Sequence, residues 1–400
     1  MARLALRRSQ LEFAKKVMRR MCFVRRNMRS QTQKIRRRRQ FNCSIESALG
    51  MCECPRPMNL RTLSELLQLS QTTVSRALNG FPEVSEETRA RVRAAAEMHG
   101  YRPSAAARRL ATGQSGTLGL VFPRERNMLA DLIFTEFLGS CVEQASDLGY
   151  DVTLAMARGA QTEEAVYRRA VRSARVDGMI LSSPLLSDPR IELLRSLEMP
   201  FILHGRTRVE VPHASLDIDN RGAFLQATRL LCDLGHRNAA LINGDPAFNY
   251  AADRESGFRE ALSGNGLVPQ DVLITGAMMT ERHGEDEAAR MLALPASTRP
   301  TAFLCSSIAQ ALGVSRVLAR AGLRTGKDVS LIAHDDRVAD FRAETFEVPL
   351  TTTQSSIGAA GKRVVELLIH MLRHPAEPLP HEVWPVDLVV RASTGPAPGV

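Results

Sequence analysis

Residues 70–80, SQTTVSRALNG, decide how this 400-residue chain is read. The stretch holds one charge, Arg76, among small hydroxyl and amide side chains. On a helical wheel Thr72, Ser75, Arg76 and Asn79 gather on one face and Gln71 projects from the N-terminal end. Val74, Ala77 and Leu78 form a narrow apolar stripe opposite. An ordinary solvated helix face carries Lys and Glu. This one carries side chains whose donors and acceptors can read base edges in a major groove. Just upstream, residues 60–69 (LRTLSELLQL) put Leu60, Leu63, Leu66 and Leu67 on one face. A leucine-faced helix, a short turn and a polar-faced helix make a helix-turn-helix, whose second helix enters the groove by its N-terminal end.

Working outward, Ser70 is positioned to cap the second helix. Either Asn59, or Thr62 with Glu65 as a capping box, can start the first. A third helix begins at Ser85, with Glu86 and Glu87 in a first turn whose dipole favours acids. It turns Val92, Ala95 and Ala96 inward and stops at Gly100. Residues 58–102 are thus expected to form an all-α head. Residues 103–115 are Ala-rich, with Leu110 as their one large apolar side chain. They form a piece bounded by Pro103 and Gly113 that is too short to be stable alone in water.

The net charge of +10 is unevenly distributed. Residues 1–57 hold 16 Lys and Arg against 3 acids, residues 58–115 hold 8 against 5, and residues 116–400 hold 29 against 35. A polyanion would therefore meet the N-terminal end. Residues 1–57 carry arginine runs with little periodicity, a pattern typical of disorder. The reading adopted is that patterned sequence, and with it the true start, begins at Met58. A translated basic arm adding nonspecific affinity for nucleic acid is the alternative, and a transit peptide a weaker one.

From residue 116 strand-like segments (TLGLVF, DVTLAM, GMILSS, PFILHG, AALING, AFLCSS, DVSLIA) alternate with helical patterns of 10–15 residues. Such alternation means βαβ units and parallel sheets, and about 285 residues suit two similar lobes better than one sheet. A late strand, EVWPVDLVVR, closes the pattern. Composition agrees with a globular chain, at 44% hydrophobic and 24% charged residues. No run of 18 apolar residues offers a membrane span, and the N-terminus has no signal-peptide core. The seven cysteines have no zinc-ligand spacing and read as reduced thiols. GLRTGKD is one residue short of a phosphate loop and ends on Asp where Ser or Thr is needed. RHGEDE is not a metalloprotease motif, and no nucleophile elbow occurs. His236 reads as a turn residue before a strand. Catalytic residues, metal ligands and cofactors are expected to be absent.

The motifs S-x-x-TVSR-x-LN, VS-x-x-TR-x-x-V, GY-x-P, AR-x-L-x-x-G and LGLVFP, with RPTAFLC, ALGVSRVLARAGLRTGKDVSLIAHDD and PLTTTQSS further on, resemble the lactose/galactose repressor (LacI/GalR) family over about 340 residues from Met58. The resemblance implies an all-α helix-turn-helix head plus an α/β two-lobe, periplasmic-binding-protein-like effector domain with parallel sheets over 116–400. It also implies a cytoplasmic, nucleoid-associated homodimer, with a tetramer left open. Its partners would be double-stranded operator DNA and a small sugar effector, with no membrane.

The family's base-reading positions fall on Gln71, Thr72 and Arg76, with phosphate or supporting roles for Ser70, Thr73, Ser75 and Asn79. In the hinge, Leu110 matches a minor-groove wedge and Arg108 would lie beside phosphates. The effector positions fall on Arg206, Arg254 and Asp335. Such side chains can fork onto vicinal hydroxyls, although an interlobe salt-bridge network would use the same residues. Phe134 matches an aromatic of the cleft wall, with a plain core position as the alternative. Ser307 and Ser355 fall where members often carry Asn, Asp or Gln, so the charged frame is kept and the polar contacts change. These variants look most like repressors of α-glucoside uptake operons. A solute receptor, a nucleotide-binding enzyme and an activator of the same family are the rival readings.

Overall fold

The computed structural model describes residues 58–101, 114–122, 131–156, 162–173, 175–339 and 342–399. The 1–57 extension and most of the expected hinge, with Arg108 and Leu110, lie outside the described residues. The chain divides into two compact units, 1–107 and 108–400.

In the first unit, helices α1 (Leu60–Leu67), α2 (Gln71–Leu78) and α3 (Glu86–Met98) follow one another closely. Two eight-residue helices are marginal alone, and burial holds them. Leu63, Leu67, Val74, Ala77, Val84, Val92 and Ala96 form one core that also gathers Leu60, Leu78 and Tyr101. Asn59 caps α1, its side chain accepting from the Thr62 amide at 2.9 Å. Gln68 then takes a left-handed conformation (φ 55°) and ends that helix within the tight turn. Ser70 and Ser85 cap the next two helices as the sequence implies, and Gly100 closes the third at φ 62°.

The second unit holds two six-stranded sheets. One has the order β11-β5-β4-β3-β1-β2 and is wholly parallel; the other is β12-β10-β9-β8-β6-β7, with only β12 antiparallel. The first contains β1 (Thr117–Phe122), β2 (Asp151–Met156), β3 (Gly178–Leu181), β4 (Phe201–His204), β5 (Ala214–Ile218) and β11 (His381–Trp384). The second contains β6 (Ala239–Asn243), β7 (Ile274–Gly276), β8 (Ala302–Cys305), β9 (Ser330–Asp335), β10 (Thr351–Gln354) and β12 (Asp387–Val389). The helices are α4 (Leu132–Asp147), α5 (Glu163–Arg172), α6 (Pro189–Ser196), α7 (Asn220–Asp233), α8 (Asn249–Gly264), α9 (Glu281–Leu292), α10 (Ile308–Arg320) and α11 (Ile357–Arg373). The central strands are buried, as fits strands covered on both faces.

The chain crosses between lobes three times. It passes from β5 into α7, which packs on the second sheet; from β10 into α11, which packs on the first; and from β11 to β12. The third crossing corrects the sequence reading. EVWPVDLVVR is two strands broken around Pro385, each joined to a different sheet. Proline lacks the N–H a continuing ladder needs. Strands β5 and β7 were also not apparent from the sequence.

Both lobes share one strand order, reversing between β1 and β3 and between β6 and β8. Ligands in open α/β sheets bind beyond the carboxyl ends of strands at such reversals. The fold therefore directs attention to the loops after β3, β4, β6, β8 and β9.

Candidate DNA-reading helix and ligand cleft

On α2 the sequence divides cleanly into support and display. Ser70 Oγ accepts the Thr73 amide at 3.0 Å and lies 2.8 Å from Thr73 Oγ1. At the other end Asn79 Nδ2 donates to the Ser75 carbonyl at 2.9 Å. Four of the seven expected residues on this helix are therefore engaged in holding its ends. Gln71, Thr72 and Arg76 are displayed instead: Gln71 and Thr72 lie in the first turn, and Arg76, in the last, has no ion pair among the described residues. Its neighbours differ. Arg61 is paired with Glu65 at 2.9 Å, Arg89 Nη2 donates to the Phe81 and Val84 carbonyls, and Arg91 Nη2 donates to the Leu67 carbonyl at 2.6 Å. Residues 58–101 carry five Arg and five Glu. The helix is thus presented on a nearly neutral body, suited to short-range reading more than to long-range attraction.

In the second unit a cleft opens between the lobes at the carboxyl ends of the strands, with about 1250 Å³ of empty space continuous with solvent. Arg254 sits at its floor, 4% exposed. Its Nε donates to Asn220 Oδ1 at 2.8 Å and its Nη1 to the Ser306 carbonyl at 2.8 Å. The guanidinium lies 5.1 Å from the Phe224 ring centroid and 5.0 Å from that of Tyr250, within cation–π range. Burial lowers its pKa, and the Asp336 carboxylate opposes that shift.

The segment Arg254-Glu-Ser-Gly-Phe258 now has a physical account. Arg254 faces the cleft, Phe258 enters the core beside Phe224, and Gly257 lets α8 approach α7. A Cβ at Gly257 would fall on the Arg221 carbonyl and press on the Leu225 amide. Alanine would gain up to about 1 kcal/mol of helix propensity, but overpacking a backbone contact costs about 1–3 kcal/mol. Gly257→Ala is therefore expected to lower the midpoint of thermal unfolding; an unchanged or raised midpoint would refute the close-approach account.

Arg206, two residues past β4, spans the lobes. Its Nε lies 3.0 Å from Asp253 Oδ2 on α8 and 2.9 Å from Asp217 Oδ2 on β5. The second pair is close in distance but not aligned as a hydrogen bond, leaving Asp217 Oδ2 without one. Burial pushes the Asp217 carboxyl up to about 6, against the pull of Arg206. The network the sequence offered as the alternative use of these residues is therefore present at Arg206, on the cleft wall itself.

Asp335 and Asp336 divide their roles differently from the sequence expectation. The Asp335 carboxylate accepts from the Arg337 amide at 2.8 Å and from Gln354 Nε2 at 3.3 Å. It borders only a second chamber beside the main one, whereas Asp336 borders both. Burial works against ionisation of Asp336, yet His334, Arg254 and His204 hold its carboxyl below the usual range. His204 is itself pushed down to about 4 by burial. Ser355 lines the main chamber, with its Oγ 3.1 Å from His334 Nε2. Ser307 lines the second one and caps α10 through the Gln310 amide. Phe134 lines the main chamber edge-on to Phe122, with ring centroids 5.2 Å apart.

The structure thus brings Phe134, Arg206, Arg254 and Ser355 to one chamber and Ser307 and Asp335 to its neighbour. Sequence reading missed Asp131, His204, Asn220, Tyr250 and Asp336. Their signal is positional, since each stands at or beside a strand or helix end facing the reversal in strand order. His236 is more than a turn residue. It is buried and bonded to Thr301 Oγ1 and Ser330 Oγ, both at 2.9 Å.

Residues 67–104 match the model of bacterial regulatory proteins of the lacI family, and residues 228–394 match a periplasmic binding protein-like domain. The HTH-type transcriptional regulator AglR of Rhizobium meliloti (strain 1021) is 46% identical over 344 residues, 86% of this chain and 96% of the relative. The HTH-type transcriptional regulator RafR of Escherichia coli is 33% identical over 325 residues, 80% of this chain and 94% of the relative. Among solved structures, the lac repressor dimer bound to operator and the anti-inducer ONPF aligns with a TM-score of 0.70 at 25% identity, covering 85% of this chain and all of that one. The CelR–cellobiose complex aligns with a TM-score of 0.61 at 26% identity, covering 84% and 99%. Helix-turn-helix head, two-lobe body and relatives agree: the chain belongs to the LacI family of bacterial DNA-binding transcriptional regulators.

Proposed function

We propose that this regulator is a cytoplasmic homodimeric repressor that reads a near-palindromic operator with Gln71, Thr72 and Arg76 and is controlled by a sugar, an α-glucoside by preference, held in the interlobe cleft. The observation that carries the reading is the cleft floor, where the buried Arg254 and the partly exposed Asp336 face a chamber walled by Phe134, Phe248 and Tyr250. Paired charges on vicinal hydroxyls and rings against sugar C–H faces make a carbohydrate site. Support for the class of effector comes from relatives, one of them solved as a cellobiose complex.

Each lobe contributes to the cleft, and the chain crosses between lobes three times. Ligand binding can therefore bias lobe closure, and closure can bias the DNA-bound geometry. Coupling of this kind is reciprocal: sugar and operator change each other's affinity by the same factor. Domain limits of 58–102 for the head, 103–115 for the hinge and 116–400 for the body belong to the same proposal, as do Arg108 and Leu110 as hinge contacts to DNA and Ser70, Thr73, Ser75 and Asn79 as supports.

Footprinting on the DNA around its own gene, with and without maltose, trehalose and sucrose, tests the whole. Protection of a two-fold related site, altered by at least one of these sugars, is the expected result. Protection that no saccharide changes would remove the effector assignment, and no protection would remove the operator reading.

A further inference from the structure

Where the chain enters the second unit, one carboxylate fastens it. Asp177, half-buried, stands immediately before β3. It accepts two consecutive amides, Ser115 N–H on Oδ1 at 2.6 Å and Gly116 N–H on Oδ2 at 2.7 Å. The Gly116 carbonyl accepts the Asp151 amide at 2.8 Å, and the Thr117 carbonyl accepts the Asp177 amide at 2.8 Å. Gly116 turns the chain at φ 65°, in the left-handed region that suits glycine. Ser115 and Gly116 are thus held on both sides before β1 begins at Thr117. The sheet itself does not need this fork, because β1 is paired with β2 and β3 without it. Two charge-assisted hydrogen bonds from one planar group fix direction as well as position.

Two elements join this root to the cleft. β1 ends at Phe122, whose ring meets Phe134 of the main chamber. α11 starts at Ile357 on the wall of the same chamber. Roughly 16 Å further along that helix, Leu368 packs on Gly178, the residue after Asp177. A Cβ on Gly178 would lie 3.0 Å from Leu368 Cδ1. Asp177 therefore stands between elements that start or end at the cleft and the segment that leads towards the head.

We propose that Asp177 is a positioning residue: it fixes the direction in which the chain leaves the body, and through it the state of the cleft reaches operator affinity. The inference rests on the operator-and-sugar reading above. A loosened root adds backbone freedom that operator binding must remove, and ordering one residue costs a factor of about 5 to 30 in an equilibrium. A root that swings also passes on less of any movement in β1 and α11. Charge alone acts in the opposite direction, because losing a carboxylate raises affinity for a polyanion.

Asp177→Asn and Gly116→Ala break the fastening independently. The first sets an amide NH2 against a backbone N–H, and the second disfavours the left-handed turn. Fluorescence anisotropy of the full chain on the footprinted duplex, with and without saturating maltose, trehalose or sucrose, reads the outcome. Isothermal titration of the same sugars without DNA accompanies it. Both variants are expected to bind sugar within ~3-fold of the unmodified chain and to unfold within ~4 °C of it. Operator affinity should fall at least ~10-fold, and the change in it produced by sugar should shrink at least ~3-fold. A merely structural role would lower the unfolding midpoint and leave the ratio of operator affinities with and without sugar where it was. Asp151→Asn removes a neighbouring carboxylate but no part of the fastening, and should not weaken operator binding. Unchanged operator affinity in either variant overturns the positioning role, and a weaker affinity with an undiminished sugar response overturns the transmission. Both results leave the proposed function standing. An unmodified chain whose operator binding no sugar changes loses that function and this inference together.

Discussion

Arg76→Ala is expected to abolish operator recognition while leaving the head folded and the DNA-independent properties of the chain unchanged. Arg76 stands on the polar face of α2 and has no ion pair among the described residues. Removing such an unpaired surface side chain changes stability by less than about 0.5 kcal/mol. Arginine is the commonest bidentate reader of guanine, worth about 1–3 kcal/mol of discrimination for each base it reads. Two half-sites double that, so specific affinity should fall by about 30-fold to 10⁴-fold. The salt dependence separates this role from its rival. If Arg76 bound a phosphate in each half-site, alanine would lower affinity for all sequences alike and flatten the slope of log K against log salt by about 1 for each half-site. If it reads a base, alanine leaves the slope and nonspecific binding in place. Titrations of operator and scrambled duplexes at several salt concentrations decide it, and a uniform decrease with a flatter slope would move Arg76 to the backbone.

The head was legible because its determinants are local. Caps, apolar stripe and displayed face of α2 all lie within residues 70–79, and the periodicity places each side chain before any tertiary contact forms. The same holds for the alternation that implies two parallel-sheet lobes. What the sequence hid depends on where strands end and on segments far apart. Asp335 and Asp336 are adjacent acids, and which one reaches the main chamber turns on β9 ending at Asp335. His204 reads as one more residue of an apolar strand until it stacks on Phe137, with ring centroids 4.6 Å apart, and faces the cleft. Asp131, Asn220 and Tyr250 come from three separate elements that only the folded lobes bring together. Pro385 was visible as a proline, but not as the point where the chain changes sheets.

The charge pattern also has a physical reading that the whole-chain value conceals. The helix that displays Gln71, Thr72 and Arg76 sits on a body with equal numbers of Arg and Glu. The basic excess lies in residues 1–57 and in Arg102, Arg108 and Arg109. Under the proposed function, attraction to phosphate then falls to segments other than α2, the division between positioning and specifying contacts.

The second large effect is expected at Arg254. Arg254→Ala should leave operator binding intact and make it indifferent to sugar. The guanidinium holds the Asn220 amide oxygen and the Ser306 carbonyl, lies near the Phe224 and Tyr250 rings and is a cation that helps to keep Asp336 ionised. Removing one member of such a buried charged set costs about 3–5 kcal/mol, because its partners stay buried and unpaired. That is a large share of a typical domain's stability, so thermal unfolding of the body should drop clearly. Arg254→Lys keeps the charge but loses the fork, and should fold better than the alanine variant while responding to sugar as poorly. Arg206→Ala is the contrasting case. Its own side chain is 43% exposed although its partner Asp217 is buried, so it should weaken sugar binding with a smaller drop in unfolding than Arg254→Ala. Operator titrations by fluorescence anisotropy, with and without saturating sugar, read the outcome. Coupling of about 1–3 kcal/mol would appear as a shift of about 5- to 150-fold in the unmodified chain, against none in Arg254→Lys. A lysine variant that still responds in full would show that the buried arginine is a structural ion and that the ligand is read elsewhere in the cleft.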